Sequence, residues 1–237
     1  MTANAPTTIV FVHGTGDSAR AWDGVIAALP EQRCLALDLP GHGAAAGATL
    51  SADAGVQAYA DYVQAALVRQ GQAAVCLVGH SLGSAIALRL AVEAPALVSR
   101  LVLVGAGARL RVLPALLALA ATSPDDAMRR VVELGFAPAH RAEADRYAAR
   151  LAPAGPGTVL RDLAACDAFD MMGELGRVAQ PALVVVGAED RLTPPKYAAS
   201  LRDELAQAHL VTIPGAGHYL NAEAPAQVAG AIRDWLR

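Results

Sequence analysis

A serine hydroxyl becomes a useful nucleophile only with a base beside it and donors waiting for the oxyanion it creates. Gly79-His80-Ser81-Leu82-Gly83 has the G-x-S-x-G spacing that puts a serine at the apex of a sharp turn. Its setting matters more than the match. The apolar run 73–78 precedes it, and a helical stretch opens at Ser84. That strand–turn–helix order exposes the hydroxyl, and the flanking glycines leave room where a Cβ would clash. The backbone N–H of Leu82 then points from a helix N-terminus to where negative charge develops. His13-Gly14-Thr15-Gly16 follows another apolar run, and its loop offers a second backbone donor, assigned by position to Thr15.

Of the six histidines, His218 has the setting of a base, in the loop Pro214-Gly215-Ala216-Gly217-His218 after the last apolar run. Loops at strand C-termini are where parallel sheets build their sites. His13 and His80 flank the site in sequence, but the residue before a nucleophile points away from it. His13 is expected to pack or hydrogen-bond near the Thr15 loop. His42, in Asp38-Leu39-Pro40-Gly41-His42-Gly43, reads as a loop-structuring residue. His140 lies in a helical region and His209 opens a strand. The acid that orients the base is assigned to Asp190, in Gly187-Ala188-Glu189-Asp190 after the preceding apolar run. Glu189 competes with it, and Asp162, Asp167 and Asp170 are further rivals. The order Ser81, Asp190, His218 is that of one of the known serine triads.

The elements that must position these residues alternate. Apolar runs at 7–13, 33–38, 73–79, 100–105, 181–187 and 208–213 read as strands buried on both faces of a parallel sheet. Helical patterns at 53–70, 84–93 and 224–236 lie between or after them, so a doubly wound sheet with right-handed crossovers follows. The alternation breaks over residues 107–179, where helix signals persist without a convincing strand. Ser123-Pro124-Asp125-Asp126 is a helix start with a cap, a proline and first-turn acids. Pro138, Pro153 and Pro156 punctuate the rest. The expected organisation is a core of residues 1–106 and 180–237 with a helical cap, 107–179, inserted into it.

With these residues in hand, the chain resembles the α/β-hydrolase superfamily over nearly its whole length, in particular its small cap-bearing serine esterases. The resemblance rests on HGTG at 13–16, Trp22, DLPGHG at 38–43, GHSLG at 79–83, GAEDRLTP at 187–194 and GAGHYLNAEAP at 215–225. It implies an α/β fold with a doubly wound, mostly parallel sheet. It also implies a catalytic triad of Ser81, Asp190 and His218, with Thr15 and Leu82 N–H groups as the oxyanion hole. Branches that use an aspartate nucleophile are set aside by Ser81. The shared frame hosts many chemistries. The leading expectation is hydrolysis of carboxylic esters with small or medium apolar acyl groups. Lactone or carbon–carbon bond hydrolysis by the same triad, and a receptor-like binding role, stay open. Within the cap, Phe136, Phe169 and Met172, with Met128 and Met171, are read either as pocket lining or as cap core.

Composition narrows the remaining classes. With 19 Lys+Arg against 22 Asp+Glu and no basic run, a nucleic-acid partner is not expected. The apolar window 112–121 falls short of the roughly 20 residues a membrane span needs, so it reads as a buried or substrate-facing helix. Residues 1–8 show no basic segment leading into an apolar one, so no secretory signal is expected. Cys34, Cys76 and Cys166 form no disulfide framework, which points to a reducing cytoplasm. No spacing suits metal ligands and no cofactor is implied, and the expected partner is a small-molecule ester, with the oligomeric state left open.

Overall fold

The computed structural model describes residues 7–151, 154–155 and 157–237. Residues 1–6 and the expected breaks at Pro153 and Pro156 lie outside that description. Among the described residues six strands form, β1 Ile9–Val12, β2 Cys34–Leu37, β3 Val75–His80, β4 Val98–Val104, β5 Ala182–Gly187 and β6 Ala208–Ile213. They join in one sheet of order β2-β1-β3-β4-β5-β6, and every pairing is parallel. The doubly wound α/β-hydrolase architecture expected from the sequence is the one adopted. β4 starts at Val98 rather than Arg100.

A parallel sheet needs a crossover for each return of the chain, and the crossovers cover both faces. Alternate residues of β1 show this. Val10 and Val12 pack with α2 Val56–Arg69 and α3 Leu82–Glu93, whereas Ile9 and Phe11 pack with Trp22 and Val25 of α1 Asp23–Ala27 and its approach. Both faces are covered at β1, β3 and β5, so those strands read as near-continuous apolar runs rather than alternating ones. Each fully buried Leu or Ile on α3 adds roughly 1.5–3 kcal/mol; Leu82, Ile86 and Leu88 are such residues.

Among the described residues, four α-helices lie between β4 and β5: α4 Pro114–Thr122, α5 Pro124–Gly135, α6 Arg141–Arg150 and α7 Thr158–Ala168. Pro124 opens α5 and Asp125 and Asp126 fill its first turn, as expected, but the Ser123 side chain makes no capping bond. Leu116, Val131, Phe136, Tyr147 and Leu163 give these helices a core of their own. Ala165, Phe169, Met171 and Val178 instead join the main core, so the stretch 107–179 does not pack as one unit. The chain closes with α8 Pro195–Glu204, the single turn α9 Leu220–Glu223 and α10 Pro225–Leu236. No helix among the described residues is long and apolar enough to cross a membrane.

Pairing registers bring the functional loops together. Val12 lies beside Gly79, His80 beside Val104, Val104 beside Val185, and Gly187 beside Ile213. The chain reverses its direction of travel across the sheet between β1 and β3, and such switch points open a crevice at the strand C-termini.

Candidate active site

Ser81 sits between β3 and α3 with φ 52° and ψ −115°. A non-glycine residue there carries strain of order 1–3 kcal/mol, held by its surroundings. Here the holding is local. Ser81 N donates to Val104 O (3.0 Å), and Ser81 O accepts from Ser84 N (2.8 Å) and Ser84 Oγ (2.6 Å). The turn is too tight for side chains at its flanks. A Cβ on Gly79 would lie 2.1 Å from Gly83 O, and one on Gly83 would lie 2.4 Å from Val12 O. As the first residue of α3, Leu82 has an N–H with no acceptor inside the helix.

His218 and Asp190 are both buried and joined directly, with His218 Nδ1 2.9 Å from Asp190 Oδ2. Asp190 also accepts from Leu192 N (2.9 Å), Thr193 N (2.8 Å) and Thr193 Oγ1 (2.8 Å). Burial opposes its ionisation, but His218 and the Thr193 donors outweigh that and hold the carboxyl below the usual range. Thr193 Oγ1 is also 3.1 Å from His218 Nδ1. With Nδ1–H directed at these acceptors, Nε2 keeps its lone pair. The His218 loop is anchored from two sides. His218 N donates to Gly135 O (2.6 Å), and Glu223 Oε2 accepts from Gly217 N (3.0 Å) and Ala137 N (2.9 Å).

Ser81, His218 and Thr15 line one cavity of about 340 Å³. Its lining is largely aliphatic and includes Leu110, Leu113, Leu116, Val131, Leu134 and Leu163. Asp17, Arg111 and Arg191 add polar points. Tyr147 donates to the buried Asp17, whose carboxyl burial pushes up.

A family model described as the alpha/beta hydrolase family matches residues 9–231. The chain belongs to that family. It is similar to the pimeloyl-[acyl-carrier protein] methyl ester esterase of Nitrosomonas europaea, with 30% identity over 92% of this chain and 90% of that one. A putative carbamate hydrolase of Agrobacterium fabrum is 31% identical over 94% of this chain and 90% of its own. The crystal structure of an enol-lactonase from Burkholderia xenovorans shares the fold, with a TM-score of 0.89 at 21% identity, covering 100% of this chain and 93% of that one.

Within this alpha/beta hydrolase the other candidates have other partners. His13 Nδ1 donates to Gly14 O (2.8 Å) while its Nε2 accepts from Leu39 N (3.0 Å). Burial brings its pKa down to about 4. His80 Nε2 bonds to His218 O (3.0 Å), and burial brings His80 down to about 3. His140 pairs with Glu143 and His209 is exposed. Glu189 is exposed, unlike Asp190. Asp167 accepts from Val112 N (3.0 Å), Asp170 pairs with Arg109, and Asp162 meets His42.

The three residues nominated for substrate binding lie elsewhere. Phe136 stacks on Tyr219 at 5.0 Å in the core of the inserted helices. Phe169 turns into the main core behind α7. Met172 is 50% exposed in a turn, where Met172 N bonds to Asp170 Oδ1. Met128 packs over Gly16 and Met171 is core. The lining leucines were less visible as such, although the apolar window 112–121 that supplies Leu113 and Leu116 carried the signal of a substrate-facing helix.

Proposed function

We propose that this hydrolase cleaves carboxylic esters of small or medium apolar acyl groups through an acyl-enzyme on Ser81. The observation that carries this reading is the convergence of Ser81 and the Asp190–His218 pair on one aliphatic cavity. His218 Nε2 takes the Ser81 proton as the oxygen attacks the ester carbonyl. Asp190 holds the ring's tautomer and stabilises the imidazolium. The N–H groups of Thr15 and Leu82 receive the oxyanion. His218 then passes its proton to the departing alcohol, and water repeats the sequence to release the acid. In this reading α4–α7 form a cap that supplies the acyl pocket. The esterase name of the Nitrosomonas relative supports an ester substrate. The free cysteines Cys34, Cys76 and Cys166 fit a reducing compartment, and the cytoplasm is proposed.

The test is hydrolysis of p-nitrophenyl esters from acetate to decanoate by wild type and Ser81→Ala. Turnover should fall by about 10⁶ in the variant, and the chain-length optimum should lie at short to medium acyl groups. Equal turnover by both proteins contradicts the mechanism. No turnover by either moves carbon–carbon bond hydrolysis and a receptor-like binding role to the front.

A further inference from the structure

Behind the Thr15 loop lies a carboxylate that the proposed reaction does not use. Asp162, on α7, is fully buried, and a carboxylate in such a place is costly unless donors surround it. Its Oδ2 accepts from Gly16 N (3.0 Å) and lies 3.0 Å from His42 Nε2. Its Oδ1 accepts from the Tyr59 hydroxyl. Arg161 beside it donates from Nε to Tyr59 Oη (3.2 Å) and from a terminal nitrogen to Thr158 Oγ1 (3.1 Å). These partners come from the loops after β1 and β2, from α2 and from α7. Burial alone disfavours a charged His42, but Asp162 more than offsets it and holds the imidazole above its ordinary pKa.

The bond to Gly16 bears on the loop that carries Thr15. Gly16 N belongs to the peptide joining Thr15 to Gly16. Gly16 has φ +65° and no side chain, so little within the residue itself stops that peptide from rotating. Two contacts from the inserted helices resist rotation. Met128 Sδ fills the space where a Gly16 Cβ would stand, 2.4 Å from it, and Thr15 Oγ1 lies 3.6 Å from Cys166 Sγ. Cys166 is one turn after Asp162 on the same face of α7. Of these contacts to the Thr15–Gly16 peptide only the Asp162 bond is directional and made to a carboxylate; the preceding peptide, which carries Thr15 N–H, is held through Gly14 O by His13 Nδ1 (2.8 Å).

We propose that Asp162 is a positioning residue for the oxyanion hole, fixing the peptide on the far side of Thr15 Cα so that Thr15, and with it the N–H of the preceding Gly14–Thr15 peptide, keeps its place before the oxygen of the Ser81 adduct. The inference rests on the roles proposed for Ser81 and Thr15. Asp162 touches neither substrate nor reacting atoms. It acts by removing a rotation that the loop would otherwise have to pay for when the oxyanion forms. A loosened loop binds the planar ester as well as before but stabilises the tetrahedral state less. The loss therefore falls on kcat and not on KM.

Three variants separate this role from a merely structural one. Asp162→Ala removes the acceptor, Asp162→Asn keeps an oxygen without the charge, and Tyr59→Phe cuts the same cluster without touching Gly16. The readouts are kcat and KM on p-nitrophenyl butyrate, and affinity for an alkylboronic acid that forms a tetrahedral adduct on an active serine. Asp162→Ala should lower kcat and boronate affinity about 10- to 100-fold, below the cost of deleting an oxyanion donor outright, with KM nearly unchanged. Asp162→Asn should show about a 3- to 10-fold fall in the same two quantities. Tyr59→Phe should lower the melting temperature while keeping both. Unchanged boronate affinity in the Asn variant overturns the inference, whether or not the Ala variant folds, and so does an equal loss in Tyr59→Phe. A wild type that forms no boronate adduct overturns the hydrolase reading itself, and this inference with it.

Discussion

Thr193 shows how much of a site rests on residues with no catalytic reputation. Its hydroxyl lies 2.8 Å from Asp190 Oδ2 and 3.1 Å from His218 Nδ1, so it braces the Asp190–His218 pair. Thr193→Val keeps the shape and removes the brace. It should lower kcat about 10-fold, a fraction of the 10²–10⁴ that general-base transfer supplies, and leave KM alone. Steady-state kinetics on p-nitrophenyl butyrate check it, and an unchanged kcat contradicts it. That Ser81 and His218 line one cavity and that His218 meets Asp190 was legible in the sequence, because all three stand in loops after apolar runs of one parallel sheet. Thr193 was not, because a threonine in GAEDRLTP has many possible uses and only its distance from both partners gives it one. Asp162 was legible as an acid but not as a partner of Gly16, since the contact joins residues far apart in the chain.

At the scale of elements, the turn around Ser81 is the least tolerant part of the fold. A methyl group on Gly83 would meet the backbone at Val12 and His13. Gly83→Ala should therefore cost at least about 3 kcal/mol, beyond ordinary overpacking, because backbone cannot yield as a side chain does. Chemical denaturation measures the loss, and wild-type stability in the variant contradicts it. Strands were well placed by their apolar runs because a parallel sheet covered on both faces admits little else. The inserted helices were located as a block, but which of their faces meets substrate was not legible. Phe136 and Phe169 were plausible lining by size, yet the largest side chains go where packing is deepest, which is core. The cavity falls instead to Leu110, Leu113 and Leu116 at the start of the insertion. Leu116→Trp should fill the cavity and move the chain-length optimum to shorter esters. An unchanged optimum would place the acyl group elsewhere.

For the molecule as a whole, the histidines packed around the site tie stability to pH. Burial holds His13 at about 4 and His80 at about 3, against an ordinary value of 6.5. Both are neutral when folded, whereas the unfolded chain takes up their protons below about pH 6.5. Their contribution is thus fully present above that value and is lost as pH falls towards 4 and 3, at about 1.4 kcal/mol per pH unit for each group. Asp17 and Glu223, whose carboxyls burial pushes up, act in the opposite sense, costing stability as pH rises above their ordinary values of 3.8 and 4.5. His80→Gln keeps an amide donor at the reach of the Nε2 that bonds His218 O and removes one of the two histidines. Its stability, followed by denaturant unfolding from pH 7 to 5, should fall less steeply than that of the wild type, and an identical slope contradicts the assignment. The most direct test of the central claim asks which atom becomes covalently bound. Wild type, Ser81→Ala and His218→Ala would be treated with an alkyl fluorophosphonate and mapped by peptide mass spectrometry. A single adduct on Ser81 is predicted, absent in the alanine variant and much slower to form without His218. Labelling that persists in Ser81→Ala, or a wild type that takes no label, would contradict a serine nucleophile at this turn.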